Sequence, residues 1–138
     1  MSTIGSFGTP SYGLTRVLEG VGYDDAVAKT REALAVEGFG VLTEIDVKAT
    51  LKKKLDVDTR DYIILGACNP PLAHQALSAE PGIGLLLPCN VVVSTDDSGN
   101  ATVSAIDPLA MFTIVGRKEI EPIAEEVRSR LERVMQSL

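Results

Sequence analysis

The chain has no tryptophan and only three phenylalanines and three tyrosines. With so few rings, its core must be built from Leu, Ile, Val and Ala. Clustered basic charge is missing too: Lys and Arg total 13 against 19 Asp and Glu, a net charge of -6. Phosphate backbones and anionic bilayers are bound by clusters of Lys and Arg, so neither nucleic acid nor a membrane surface is an expected partner. The acidity is read as solubility. No apolar stretch approaches the ~20 residues that span a bilayer. The Gly/Ser/Thr/Pro-rich start has neither a basic opening nor an apolar stretch of the secretory kind. A cytoplasmic protein with reduced thiols is the expectation.

Familiar catalytic signatures are absent as well. The chain contains no Gly-x-Ser-x-Gly and no His-Glu-x-x-His, and Gly82-Ile83-Gly84 does not open a helix as a phosphate loop must. Histidine occurs once, as His74, and cysteine twice, as Cys68 and Cys89. Those three side chains, even with Glu44 or Asp107 as a fourth, match no zinc spacing. No metal and no cofactor are expected, and no reaction is assigned.

What is present reads as one domain. The 138 residues can bury a core without disulfide or metal staples. Residues 1–11 read as a flexible N-terminal arm and 12–138 as a single α+β domain. A weak alternation predicts a strand over 14–18. Apolar residues recurring at three and four predict an amphipathic helix over 23–37, with Asp24 and Asp25 in its first turn and Gly38 ending it. A strand over 39–45 would place Val41, Thr43 and Ile45 on one face and Leu42 and Glu44 on the other. Asp46 is a natural N-cap for a short helix over 47–55, and 60–68 reads as an apolar strand. Asn69-Pro70-Pro71 starts another short helix that runs to about residue 79.

The longest apolar run, 83–94, reads as a strand that is an edge or is bulged at Pro88, which cannot donate to a ladder. Asp96-Asp97-Ser98-Gly99-Asn100 makes a hairpin loop to a strand over 101–106. After an apolar segment over 109–115, a helix from 118 carries a clean stripe of Ile120, Ile123, Val127, Leu131, Val134 and Leu138. The sum is an α+β layer arrangement, with the first and last long helices on one face of an antiparallel-looking sheet and short helices besides.

Two local settings nearly match: Ala67-Cys68-Asn69-Pro70 and Pro88-Cys89-Asn90-Val91. If their strands run antiparallel, Cys68 and Cys89 come close; if parallel, they lie apart. Cys68 precedes a helix start, a setting that favours thiolates, although Pro70 and Pro71 remove two N–H donors. Both cysteines are candidate catalytic thiols; buried free Cys is the plain alternative. Glu44 and Asp46, at a strand-to-helix junction with Thr50 and Lys54, could hold a polar ligand or simply cap and pair. Asp107 could stand near the thiols or merely form a turn before Pro108.

Gly38-Phe-Gly-Val41, Thr43-Glu-Ile-Asp-Val47, Leu65-Gly-Ala-Cys-Asn-Pro70 and Leu87-Pro-Cys-Asn-Val-Val-Val93 together resemble the prokaryotic domain-of-unknown-function family 302. Ile106-Asp-Pro108 fits as well, and the resemblance spans about residues 12–138. It implies a curved antiparallel sheet with long helices, similar to the TATA-binding-protein fold, and it implies a homodimer. It implies no activity, and the fold does not carry DNA binding with it. The antiparallel arrangement it implies makes Cys68 and Cys89 neighbours. The expected function is therefore a domain that binds a small polar ligand near the two Cys-Asn motifs, with Glu44, Asp46, Cys68, Asn69, Cys89, Asn90 and Asp107 as the ligand-binding residues. The competing readings are a thiol redox or sulfur-transfer protein using Cys68 and Cys89, and a structural homodimer without ligand.

Overall fold

The computed structural model describes residues 4–138. The first three residues of the expected arm lie outside the described residues. The elements in chain order are β1 (Gly13–Leu18), α1 (Tyr23–Val36), β2 (Gly40–Asp46), α2 (Val47–Leu55) and β3 (Tyr62–Cys68). After them come α3 (Pro70–Ala79), a 3₁₀ turn (Pro81–Leu86), β4 (Cys89–Thr95), β5 (Ala101–Ile106), α4 (Pro108–Phe112) and α5 (Glu121–Ser137).

Local chemistry sets the helix ends. Glu37 closes α1, after which Gly38 adopts φ +83, a left-handed conformation that costs glycine nothing. Phe39 N–H then folds back to the Leu34 carbonyl at 2.9 Å. Three helices begin directly where a strand ends, and each has a side-chain cap. The Asp46 carboxylate accepts from Ala49 N–H at 2.9 Å, Asn69 Oδ1 from Leu72 N–H at 3.3 Å, and Asp107 from Leu109 N–H at 3.0 Å. Such caps satisfy backbone donors that the first turn otherwise leaves open.

The five strands form one open antiparallel sheet in the order β1-β5-β4-β3-β2. Residues that oppose one another across an antiparallel pair share a face. The inner face is Ile63, Leu65 and Ala67 of β3, Cys89, Val91 and Val93 of β4, and Ala101, Val103 and Ala105 of β5, all buried. Helices α1 and α5 pack on it. The α5 stripe Ile123, Val127, Leu131 and Val134 is buried, as the sequence spacing predicts. On the outer face the described part of the arm is tied down. Ile4 N–H donates to Thr59 Oγ1 at 3.2 Å, Arg60 Nε to the Ile4 carbonyl at 2.8 Å, and Asp107 N–H to the Tyr12 carbonyl at 2.8 Å.

Two sequence expectations need correction. Residues 83–94 are not one strand. The 3₁₀ turn takes the first part, with Gly82 N–H on the Glu80 carboxylate at 3.3 Å, and pairing starts only at Cys89. Pro88 has no N–H for the ladder, so the strand cannot extend back through it. Next, β2 does not keep one alternation. Its register shifts between Val41 and Thr43, so Val41 opposes inward Ala67 while Thr43 and Ile45 oppose outward Gly66 and Ile64. A bulge of one residue flips every side chain beyond it to the other face. The segment over 109–115 is the short helix α4 and its exit turn, started by the Asp107 cap and Pro108 at the first helical position.

Candidate functional site

The two Cys-Asn motifs meet at one end of the sheet. Ala67 opposes Cys89 and Gly66 opposes Asn90, so Cys68 sits one residue beyond the Cys89 pair. Both thiols line a cavity of about 290 Å³ under α3 and α5. Its walls include Phe39, Leu72, Ala76, Phe112, Ile123 and Val127, and the exposed Leu42 and Leu77 form its rim. The polar residues in its lining are Cys68, Cys89, Asn69 and Thr43. The Leu87–Pro88 peptide beside it is cis.

The thiols have different surroundings. Cys89 is buried and Cys68 is half-buried; both are free. Burial, with a smaller contribution from Cys68, pushes the Cys89 thiol up to about 11. A thiol that stays protonated is a poor nucleophile at neutral pH, whatever its position.

Gly66 precedes Ala67 on β3 and opposes Asn90 on the outward face. A Cβ there would lie 2.8 Å from Pro88 Cγ and would collide with the Thr43 hydroxyl. The missing side chain is what lets Thr43 and Pro88 close over β3. Asn69, which is buried, does more than cap α3. Its Nδ2 donates to the Glu37 carbonyl at 3.5 Å, the same carbonyl that receives Arg130 Nη1 at 3.0 Å. Arg133 holds the Glu37 carboxylate at 2.9 Å. The end of α1, the start of α3 and the middle of α5 are thereby pinned together at the cavity's edge.

The other sequence candidates lie elsewhere. Asn90 points to the opposite face of the sheet, because it neighbours Cys89 on a strand and successive side chains alternate. Glu44 pairs with Arg31 of α1. Asp46 caps α2 and, with Asp61, Asp24 and Glu44, adds to the burial that raises the Tyr23 hydroxyl to about 12. Asp107 caps α4 and pairs with Arg128 at 3.1 Å. His74 is exposed on α3 and does not line the cavity. Among the described residues no three His, Cys, Asp or Glu side chains could hold a metal together. The structure thus brings Cys68, Asn69 and Cys89 to one cavity and leaves Glu44, Asp46, Asn90 and Asp107 outside it.

The family model for "Domain of unknown function DUF302" matches residues 14–138. The chain belongs to the DUF302 family. A crystal structure of an uncharacterized conserved DUF302 protein from Bacillus stearothermophilus is similar at 26% identity and a TM-score of 0.85, covering 93% of this chain and 98% of that one. No curated protein matches the sequence. The DUF302 fold here is mixed α and β, its sheet antiparallel and unclosed. No helix among the described residues is long and apolar enough to cross a membrane.

Reading polar motifs found the thiols and Asn69 but missed the apolar walls. Leu72, Ala73, Ala76 and Leu77 sit on one side of α3 at helical spacing, and all four line the cavity. That spacing was visible in the sequence, but a core stripe and a cavity wall look alike there.

Proposed function

We propose that this DUF302 domain binds a small, mostly apolar molecule in the cavity beside Cys68 and Cys89. The supporting observation is the cavity itself: about 290 Å³ walled by apolar side chains and left unfilled by the chain. Protein interiors hold few voids larger than a water molecule, and apolar cavities take apolar guests. The volume lies just under the range of drug-sized sites, which suits a compact ligand. The polar ligand read from the sequence fits this lining poorly, because Glu44, Asp46, Asn90 and Asp107 do not reach it. Asn69 and the Cys68 thiol offer the few polar contacts that would orient the guest. Titration with the neutral fluorophore N-phenyl-1-naphthylamine tests this reading. A saturable, blue-shifted rise in emission supports it; emission that stays at its value in buffer argues against it.

Thiol chemistry is the second reading, favoured by both cysteines lining one cavity. Here Cys68 is the attacking thiol, since Cys89 stays protonated. A sulfur or disulfide adduct in native mass spectra supports it, and its absence after mild oxidation counts against it. The homodimer implied by the family resemblance would use the unpaired edge of β2, where Leu42 and Ile45 are 68% and 50% exposed. Open edge strands invite pairing with another chain. Light scattering should then give twice the chain mass, falling to one chain mass for Leu42→Lys.

A further inference from the structure

The outer face of the sheet carries a second pocket, of about 190 Å³, between the arm and β3, β4 and β5. Aromatic residues are scarce in this chain, yet Phe7, Tyr12 and Tyr62, half of them, meet at this one place. Phe7 comes from the arm, Tyr12 from the turn between the arm and β1, and Tyr62 from β3. Asn90, whose amide has no hydrogen-bond partner among the described residues, borders the same space. Ser104 does too, with its hydroxyl shared with Thr15 at 2.7 Å. No charged side chain lines the pocket among the described residues. The arm can lie this close because Gly13 has no side chain. A Cβ there would be 2.7 Å from Ser104 Oγ and 3.3 Å from Pro10 Cγ.

The geometry points to a second binding site, for a neutral, planar heteroaromatic ring that carries a donor next to an acceptor. Flat aromatic side chains favour a flat partner, by stacking or edge contact. A primary amide supplies a donor and an acceptor side by side, which matches such an edge bidentately, as Asn does with adenine. The Ser104 hydroxyl adds a further contact. Burial and the neighbouring Tyr12 raise the Tyr62 hydroxyl, so it remains a neutral donor. The lack of any basic side chain argues against a phosphorylated ligand, which would need one. The pocket is too small for more than one ring system and its substituents. This site lies across the sheet from the thiol cavity and stands independently of what that cavity binds.

The test is titration of the full chain with adenine, uracil and nicotinamide, followed by NMR of the Asn90 side-chain amide and the tyrosine rings. At least one of the three should give saturable shifts confined to Asn90, Tyr62, Ser104 and the arm. Asn90→Ala and Phe7→Ala, both at solvent-accessible positions, should each weaken that binding tenfold or more while leaving the melting temperature in place. No saturable shift at millimolar ligand overturns the proposal. So do shifts centred on Phe39 and Leu72 in the thiol cavity, or an Asn90→Ala variant that binds like the parent.

Discussion

At the scale of single residues, the two thiols are unequal, and that inequality is measurable. Cys68 is half-buried at a strand end, whereas Cys89 sits inward on β4 with 6% exposure. A thiol reagent applied to the native protein at neutral pH should therefore modify Cys68 first and leave Cys89 untouched. Mass spectrometry of peptides from the labelled protein checks the order. The Cys89 thiol is held at about 11 against an ordinary value of 9.0. The folded chain thus keeps a proton that the unfolded chain gives up. By linkage, the stability contributed is complete below pH 9 and is lost as the pH rises through 11. Replacing Cys89 with Ala should flatten that part of the stability profile, measured by denaturant melts across the alkaline range. Gly66 is the other residue whose identity is fixed by its neighbours. Gly66→Ala must displace the Thr43 hydroxyl and the Pro88 ring. Overpacking of this kind costs about 1–3 kcal/mol, which chemical unfolding will show.

At the scale of elements, the repeated device is the capped corner where a strand turns directly into a helix. Asp46, Asn69 and Asp107 occupy three such corners. Asp46 and Asn69 were legible in the sequence as caps and Asp107 only as a turn residue, and all three were also candidate ligand-binding residues. The caps satisfy backbone donors, and that use already occupies the side chains. Asn69 is the case where both matter, because it also ties α3 to the end of α1. Asn69→Ala should lose the cap, worth about 1 kcal/mol, and more through the Glu37 carbonyl it leaves to Arg130 alone. A thermal melt against Asp46→Ala, which loses a cap on an exposed helix only, separates the two contributions. The strands and long helices were readable because their apolar periods of two and about three and a half survive folding. The 3₁₀ turn and the β2 bulge were not. Both depend on a partner strand, through the ladder that Pro88 cannot join and the Gly66 gap that Thr43 fills.

At the scale of the whole molecule, the antiparallel order places the ends of β3 and β4 side by side, and that alone brings the Cys-Asn motifs together. The sequence could mark the motifs but not the face each residue takes. Alternation along β4 sends Cys89 inward to the thiol cavity and Asn90 outward to the pocket under the arm. One motif therefore faces both sides of the sheet. Inside, α3 and α5 stand off the sheet end without filling the space between them, and the walls there are apolar. The account rests on that space being an occupied site. Ala76 is its most direct handle: it is 2% exposed, lies on α3 and lines the cavity. Ala76→Phe would place a ring in the void. The decisive measurement is N-phenyl-1-naphthylamine titration of Ala76→Phe beside the parent, with circular dichroism confirming that both are folded. The account predicts saturable binding to the parent and at least a tenfold loss in the folded variant. Equal binding by the two would contradict it.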